Sequence, residues 1–126
     1  MVEKTFFRRL VMAVWLVSVA GAIALSLKPG LELPLGFWNA DKVLHLLSYA
    51  WLGALPLFAF VRGDYARAAA YCMIPMGGLL EWGQSFVPGR AASMGDAVAN
   101  ALGVFIGIWL AEMLLARLGR SRGSGG

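Results

Sequence analysis

Three short stretches of the sequence hold most of its chemically capable side chains. They read Asp41-Lys42-x-x-His45-x-x-x-Tyr49, Glu81-x-x-Gln84-x-x-x-x-x-Arg90 and Ser93-x-x-Asp96-x-x-x-Asn100. Lys42, Arg90 and a protonated His45 would suit an anionic headgroup, whether phosphate or carboxylate. Asp41, Glu81 and Asp96 would accept hydrogen bonds from sugar hydroxyls or amines. In catalysis, His45 would serve as general base or nucleophile, oriented by Asp41 or Glu81. Arg90 and Lys42 would then hold charge on a phosphoryl group. The catalytic candidates are His45, Glu81 and Asp96; Ser93 carries a hydroxyl that nothing in the sequence marks as activated. A metal set of His45, Asp41, Glu81 and Asp96 would favour a hard cation, because one imidazole is too few for zinc. Neither a metal nor a cofactor is expected on this reading.

The elements that carry these stretches follow from composition. Of the 126 residues, 60% are hydrophobic and only 14% are charged. Soluble domains carry roughly 25% charge, and a small one has a large surface to solvate. A soluble enzyme, a disordered chain and a disulfide scaffold are therefore excluded. The lone Cys72 pairs with nothing and builds no metal knuckle. The net charge of +4 has a better explanation than nucleic acid, namely basic loops on one side of a membrane.

Four apolar runs, about 10–27, 43–61, 68–87 and 96–116, each have the length of a membrane span. Bilayer hydrocarbon leaves backbone groups no water, so each run is expected to be a helix. The first is too long for a signal-peptide core and lacks a clear cleavage site, so it reads as retained. The fold class is an all-α integral membrane protein, one four-helix transmembrane domain over 1–126. The tail 121–126 is rich in Gly and Ser and is expected to be flexible.

Charge sets the orientation. Lys4, Arg8, Arg9, Arg62, Arg67, Arg117, Arg120 and Arg122 fall on one side of the four runs. Only Lys28, Lys42 and Arg90 fall on the other. The excess of Lys and Arg predicts both termini in the cytoplasm. Phe37 and Trp38, in the first connection, suit the outer headgroup belt.

Helical spacing then gathers the polar residues. Asp41, His45, Tyr49, Gly53 and Pro56 share one stripe of the second run. Gly77, Glu81 and Gln84 share a face of the third; Ser93, Asp96, Asn100, Gly103 and Gly107 share a face of the fourth. Gly103-x-x-x-Gly107 is a small-residue seam that lets two helices approach closely. Turned inward, the stripes would close the cytoplasmic half and leave a polar pocket open to the outside. Pro56 and Pro75 fall in mid-run and are expected to kink their helices.

Several of these residues also have plainer roles. Ser93 and Asp96 form a helix-starting capping box. Lys42 and Arg90 suit snorkelling anchors. Glu112 suits a partner for a nearby Arg, and Trp15, Trp51 and Trp109 suit packing or lipid contact. Glu81 is harder to explain away: a charge inside a span costs on the order of 2.5–3.5 kcal/mol. A buried ion pair clamping the helices would offset it, but more polar groups converge here than one clamp requires.

The three stretches, taken in order with Gln84-Ser85-Phe86-Val87-Pro88-Gly89-Arg90 and Asn100-Ala101-Leu102-Gly103, resemble the VanZ-like family. The resemblance covers about residues 40–110. That family consists of small bacterial membrane proteins, and its named member is associated with low-level teicoplanin resistance. The resemblance implies a link to the cell envelope and supplies no reaction. The sites it points to are Asp41, Lys42, His45, Tyr49, Glu81, Gln84, Arg90, Ser93, Asp96 and Asn100. The expected partner is a membrane lipid or a lipid-linked envelope intermediate, with the lipid-tailed glycopeptide antibiotic as another ligand and no nucleic acid. An integral membrane enzyme acting on such a lipid is the alternative, and a small lipid transporter the second.

Overall fold

The computed structural model describes residues 2–29 and 40–123, and every regular element among them is an α-helix. The helices are α1 (Val2–Ser26), α2 (Ala40–Ala59), α3 (Gly63–Tyr71), α4 (Met73–Gln84) and α5 (Met94–Gly123). Three of them, α1, α2 and α5, are long and apolar enough to cross a membrane. The expected headgroup-belt residues Phe37 and Trp38 lie outside the described residues, as does the end of the tail, 124–126.

The run expected as one helix over 68–87 is two helices. Pro75 offers no N–H to the carbonyl of Tyr71, four residues earlier, and its ring crowds that carbonyl. The first helix stops at Tyr71, and a turn at Cys72 leads into the second at Met73. Pro75 then sits in the first turn of α4, where a missing N–H costs nothing. Helix α3 begins at Gly63, so most of the connection expected as a turn is helical. Helix α4 ends at Gln84, and Gly89 at φ 76° turns the chain toward α5.

Pro56 has the same defect but does not end α2, which continues to Ala59. The carbonyl deprived of its helical donor is that of Leu52. Trp15 Nε1–H of α1 donates to it at 3.0 Å. A neighbouring helix thus repairs the gap, the usual condition for proline inside a helix that lacks water. Trp15 also meets Phe60 edge to face, with centroids 6.0 Å apart.

Helices α2 and α5 form the most intimate pair. A Cβ on Gly103 would strike the Leu46 carbonyl, and one on Gly107 would strike the Ala50 carbonyl. A Cβ on Gly53 would lie 3.0 Å from the Val104 carbonyl oxygen. The small-residue seam on α5 therefore faces α2, backbone against backbone, as close packing without a hydrophobic drive requires. Around it pack Tyr49, Leu52, Ala70, Met73, Val104 and Ile108. Helix α1 buries no residue fully and lies on the flank of this core through Trp15, Val19 and Ala22.

Contacts identify the two ends of the bundle. α1 and α4 finish, and α2 and α5 begin, at the end that carries His45, Glu81 and Asp96. At the opposite end Arg67 of α3 donates to Glu112 of α5 at 2.8 Å, which is the Arg partner expected for Glu112. That ion pair borders a groove of about 300 Å³ lined by Leu57, Gly63, Ala66 and Leu115.

Gly103→Ala is expected to destabilise the fold by about 1–3 kcal/mol, because the rigid α2 backbone must move to admit a methyl group. Gly78→Ala, with nothing within 4 Å of the new Cβ, serves as the control and leaves stability equal or higher. Thermal unfolding in detergent compares them, and equal melting temperatures would show that the seam is not tight. Trp15→Phe is expected to cost about 1 kcal/mol through the orphaned Leu52 carbonyl. In a Pro56→Ala background, where residue 56 regains its N–H, the same change costs less; additive effects in the double-mutant cycle would refute the repair.

Candidate functional site

The buried face of α4 is Met73, Gly77, Glu81 and Gln84, so Glu81 and Gln84 turn inward one turn apart. Glu81 is 5% exposed and Gln84 4%. Gly77 makes the inward turn possible. A Cβ there would lie 2.9 Å from the Tyr49 ring and 3.2 Å from Asn100 Nδ2. Its absence lets α4 settle onto Tyr49 of α2 and Asn100 of α5, both of which are buried.

Helix α5 begins with Ser93 as its cap, whose Oγ accepts from the Asp96 N–H at 3.3 Å. A full capping box would return the Asp96 carboxylate to the Ser93 N–H. Here Glu81 Oε1 takes that N–H instead, at 2.6 Å. The expected box is therefore only half formed within α5, and α4 supplies the other half. This substitution releases the Asp96 carboxylate from helix capping and turns it toward α2.

On α2, His45 Nδ1 lies 2.8 Å from Asn100 Oδ1. A carbonyl oxygen can only accept, so Nδ1 carries a hydrogen and Nε2 faces Asp96. Nε2 stands 3.7 Å from Asp96 Oδ2, beyond hydrogen-bond length. One donor atom each from His45, Glu81 and Asp96 can be chosen so that all lie within 4.8 Å of one another. Lys42 Nζ lies 3.4 Å from Asp96 Oδ1 and 3.7 Å from Asp41 Oδ2. Asp96 is 7% exposed, and its buried Oδ1 has no hydrogen bond despite the lysine.

The structure thus brings Lys42, His45, Glu81, Ser93, Asp96 and Asn100 into one constellation from three helices. Tyr49 and Gln84 lie in the buried layer beside it. Asp41 stays at the rim, with a side chain 60% exposed. Arg90 reaches elsewhere as well: its guanidinium donates to the carbonyls of Leu25 and Ser26, at 3.3 and 3.1 Å. Those are carbonyls of the last turn of α1, which the helix itself cannot satisfy. Arg90 also lies within electrostatic reach of Glu81. Sequence reasoning missed the part played by α1. The only signal available was the set of unsatisfied carbonyls that ends any helix.

Two helix N-termini, those of α2 and α5, point their partial positive charge at this end of the bundle. Asp41 and Asp96 each occupy a first turn, and Glu81 accepts directly at the start of α5. The field favours carboxylates here and complements Lys42. Chemically, the constellation offers an oriented imidazole, two buried carboxylates and one partly exposed ammonium.

An all-helical chain with three membrane-length helices and a buried polar cluster at one end defines a small membrane-type bundle. The family model of VanZ/LLP1 matches residues 3–115, nearly the whole chain, and the chain belongs to that family. No curated protein and no solved structure matches it significantly.

Glu81→Gln is expected to leave the fold intact, since the amide oxygen still accepts from the Ser93 N–H. Glu81→Ala orphans that buried donor and is expected to cost about 1.5–3 kcal/mol. Equal unfolding temperatures for the two variants would show that the Glu81–Ser93 bond does not hold α4 to α5.

Proposed function

We propose that the chain is a four-span protein of the bacterial plasma membrane with both termini cytoplasmic, and that its outward-facing polar site binds the headgroup of an envelope lipid or lipid-linked intermediate. In this reading α3 and α4 together make the third span, bent at Cys72. The eight-to-three distribution of Lys and Arg supports the orientation. It turns the His45 end of the bundle to the outer leaflet.

One observation carries the binding role. Glu81, Gln84, Asp96 and Asn100, polar residues on two helices, are all buried in a chain whose surroundings are apolar. With Lys42 and His45 they present donors and acceptors of both charges, which matches a phosphate and its neighbouring hydroxyls or amines. The tight α2–α5 seam beneath the site favours binding over passage through the bundle. The link to teicoplanin enters through the family, and a lipid-tailed glycopeptide is a second ligand of the same chemical kind.

A second reading, an enzyme acting on that lipid, draws on one specific feature. His45 is held by Asn100 with Nε2 3.7 Å from Asp96 Oδ2, the arrangement of an oriented general acid or base.

A photoreactive residue replacing Met94, which is 81% exposed beside the start of α5, tests the binding role. Crosslinking to an envelope lipid that is lost in Glu81→Gln is expected; undiminished crosslinking would overturn it. Lipid profiles of cells with wild-type or Glu81→Gln protein separate binder from enzyme. A lipid species that appears or disappears only with Glu81 identifies the enzyme, and unchanged profiles identify the binder. In a Cys72→Ser background, Ala91→Cys is expected to label from outside intact cells and Gly126→Cys only after permeabilisation. Outside labelling at 126 would place the site in the cytoplasm.

A further inference from the structure

His45, Glu81 and Asp96 come from three different helices, yet their donor atoms converge within 4.8 Å. Within the cluster, His45 Nε2 and Asp96 Oδ2 are 3.7 Å apart. That distance is beyond hydrogen-bond length and lies between the separations expected of neighbouring and opposite ligands on one ion. Around a small divalent cation at about 2.1 Å, neighbouring ligands lie about 3.0 Å apart and opposite ones about 4.2 Å. Bringing His45 and Asp96 to neighbouring positions on such an ion closes their separation by about 0.7 Å.

Two further features point the same way. The first is the Asn100 carbonyl oxygen, which accepts from His45 Nδ1 at 2.8 Å and leaves Nε2 as the ring nitrogen facing Asp96. Metal-ligating histidines characteristically donate their other ring N–H in this manner. The second is Asp96 itself. It is 7% exposed, its capping duty has passed to Glu81, and its Oδ1 lacks a hydrogen bond. Lys42 Nζ stands 3.4 Å from that oxygen out of alignment, on a side chain 39% exposed that can swing into solvent. The ammonium occupies the place of a competing cation.

We propose that His45 Nε2 and the carboxylates of Glu81 and Asp96 bind a hard divalent cation of the Mg²⁺/Mn²⁺ class. One nitrogen and two carboxylates suit manganese or magnesium better than zinc, and three protein ligands leave positions open. The cation explains how a site with two buried carboxylates would accept an anionic headgroup: it offers those open positions to phosphate oxygens. This last step rests on the headgroup reading above; the cation site does not.

The test uses the full chain in detergent, stripped with a chelator and titrated with Mn²⁺. Electron paramagnetic resonance counts the bound ion, and its spin-echo modulation detects a coordinated imidazole nitrogen. One ion per chain with nitrogen modulation is expected. No binding below millimolar Mn²⁺, or binding without nitrogen modulation, overturns the proposal, and neither result depends on a variant folding. Glu81→Gln and Asp96→Asn are each expected to weaken binding at least tenfold, and Asn100→Ala by 10- to 100-fold. Lys42→Gln is expected to tighten it, because a competing charge is gone. Undiminished binding in both carboxylate variants places the ion elsewhere and overturns the assignment. Capture of phosphatidylglycerol in nanodiscs, with and without chelator, separates the two readings. Lipid capture without Mn²⁺ binding removes the cation and keeps the headgroup site. Mn²⁺ binding without lipid capture keeps the cation and removes the headgroup.

Discussion

The backbone contact between α2 and α5 sets the position of everything else. Side chains cannot mediate it, because Gly103 and Gly107 bring α5 directly onto the Leu46 and Ala50 carbonyls. Such a contact admits one register. Sliding either helix by a residue would drive a Cβ into a carbonyl oxygen. The two helices also run parallel, since His45 meets Asn100 near both starts while Ala50 meets Gly107 further on. Parallel packing places two N-terminal dipoles side by side. Carboxylates at that end are stabilised by the same geometry that fixes the imidazole opposite its amide.

From that register the polar groups are satisfied in a chain of exchanges. Glu81 of α4 takes the N–H that Asp96 would have capped, and Asp96 is thereby free to face His45 and Lys42. Arg90, beyond the turn after α4, satisfies the end of α1. Trp15 of α1 satisfies the carbonyl that Pro56 leaves open in α2. Trp15, Glu81 and Arg90 thus each complete backbone hydrogen bonds of another helix, as bilayer hydrocarbon demands when backbone groups cannot reach water. The flanking helix α1, which buries no residue fully, is held at its middle and its end by these two polar ties.

Much of this arrangement is legible in local sequence patterns. Period-3.6 spacing groups Gly77, Glu81 and Gln84 on one face and Asp96, Asn100, Gly103 and Gly107 on another, and both faces turn inward. The seam needs only two glycines four apart. The misreadings share a cause. Whether a proline kinks or breaks its helix depends on whether a neighbour repairs the freed carbonyl. Pro56 has Trp15 from 41 positions earlier and α2 continues, whereas the helix upstream of Pro75 ends at Tyr71. No window of sequence contains that difference. The half-formed capping box is similar, because Ser93 and Asp96 spell the motif and a residue twelve positions upstream of Ser93 displaces half of it.

The same geometry bears on whether the cluster is merely a clamp. A clamp of α4 to α5 is complete once Glu81 holds the Ser93 N–H. A clamp of α2 to α5 is complete once His45 meets Asn100. Neither requires Asp96, whose carboxylate adds a second buried negative charge beside the first and lacks a hydrogen bond at one oxygen. Desolvating that charge costs free energy that a single ammonium, partly in solvent and out of alignment, recovers only in part. Replacing Asp96 by an apolar residue would leave both clamps intact and remove the desolvation cost. The N-terminus of α5 and the nearby Lys42 and His45 offset part of that cost, and the proposed cation would offset the rest.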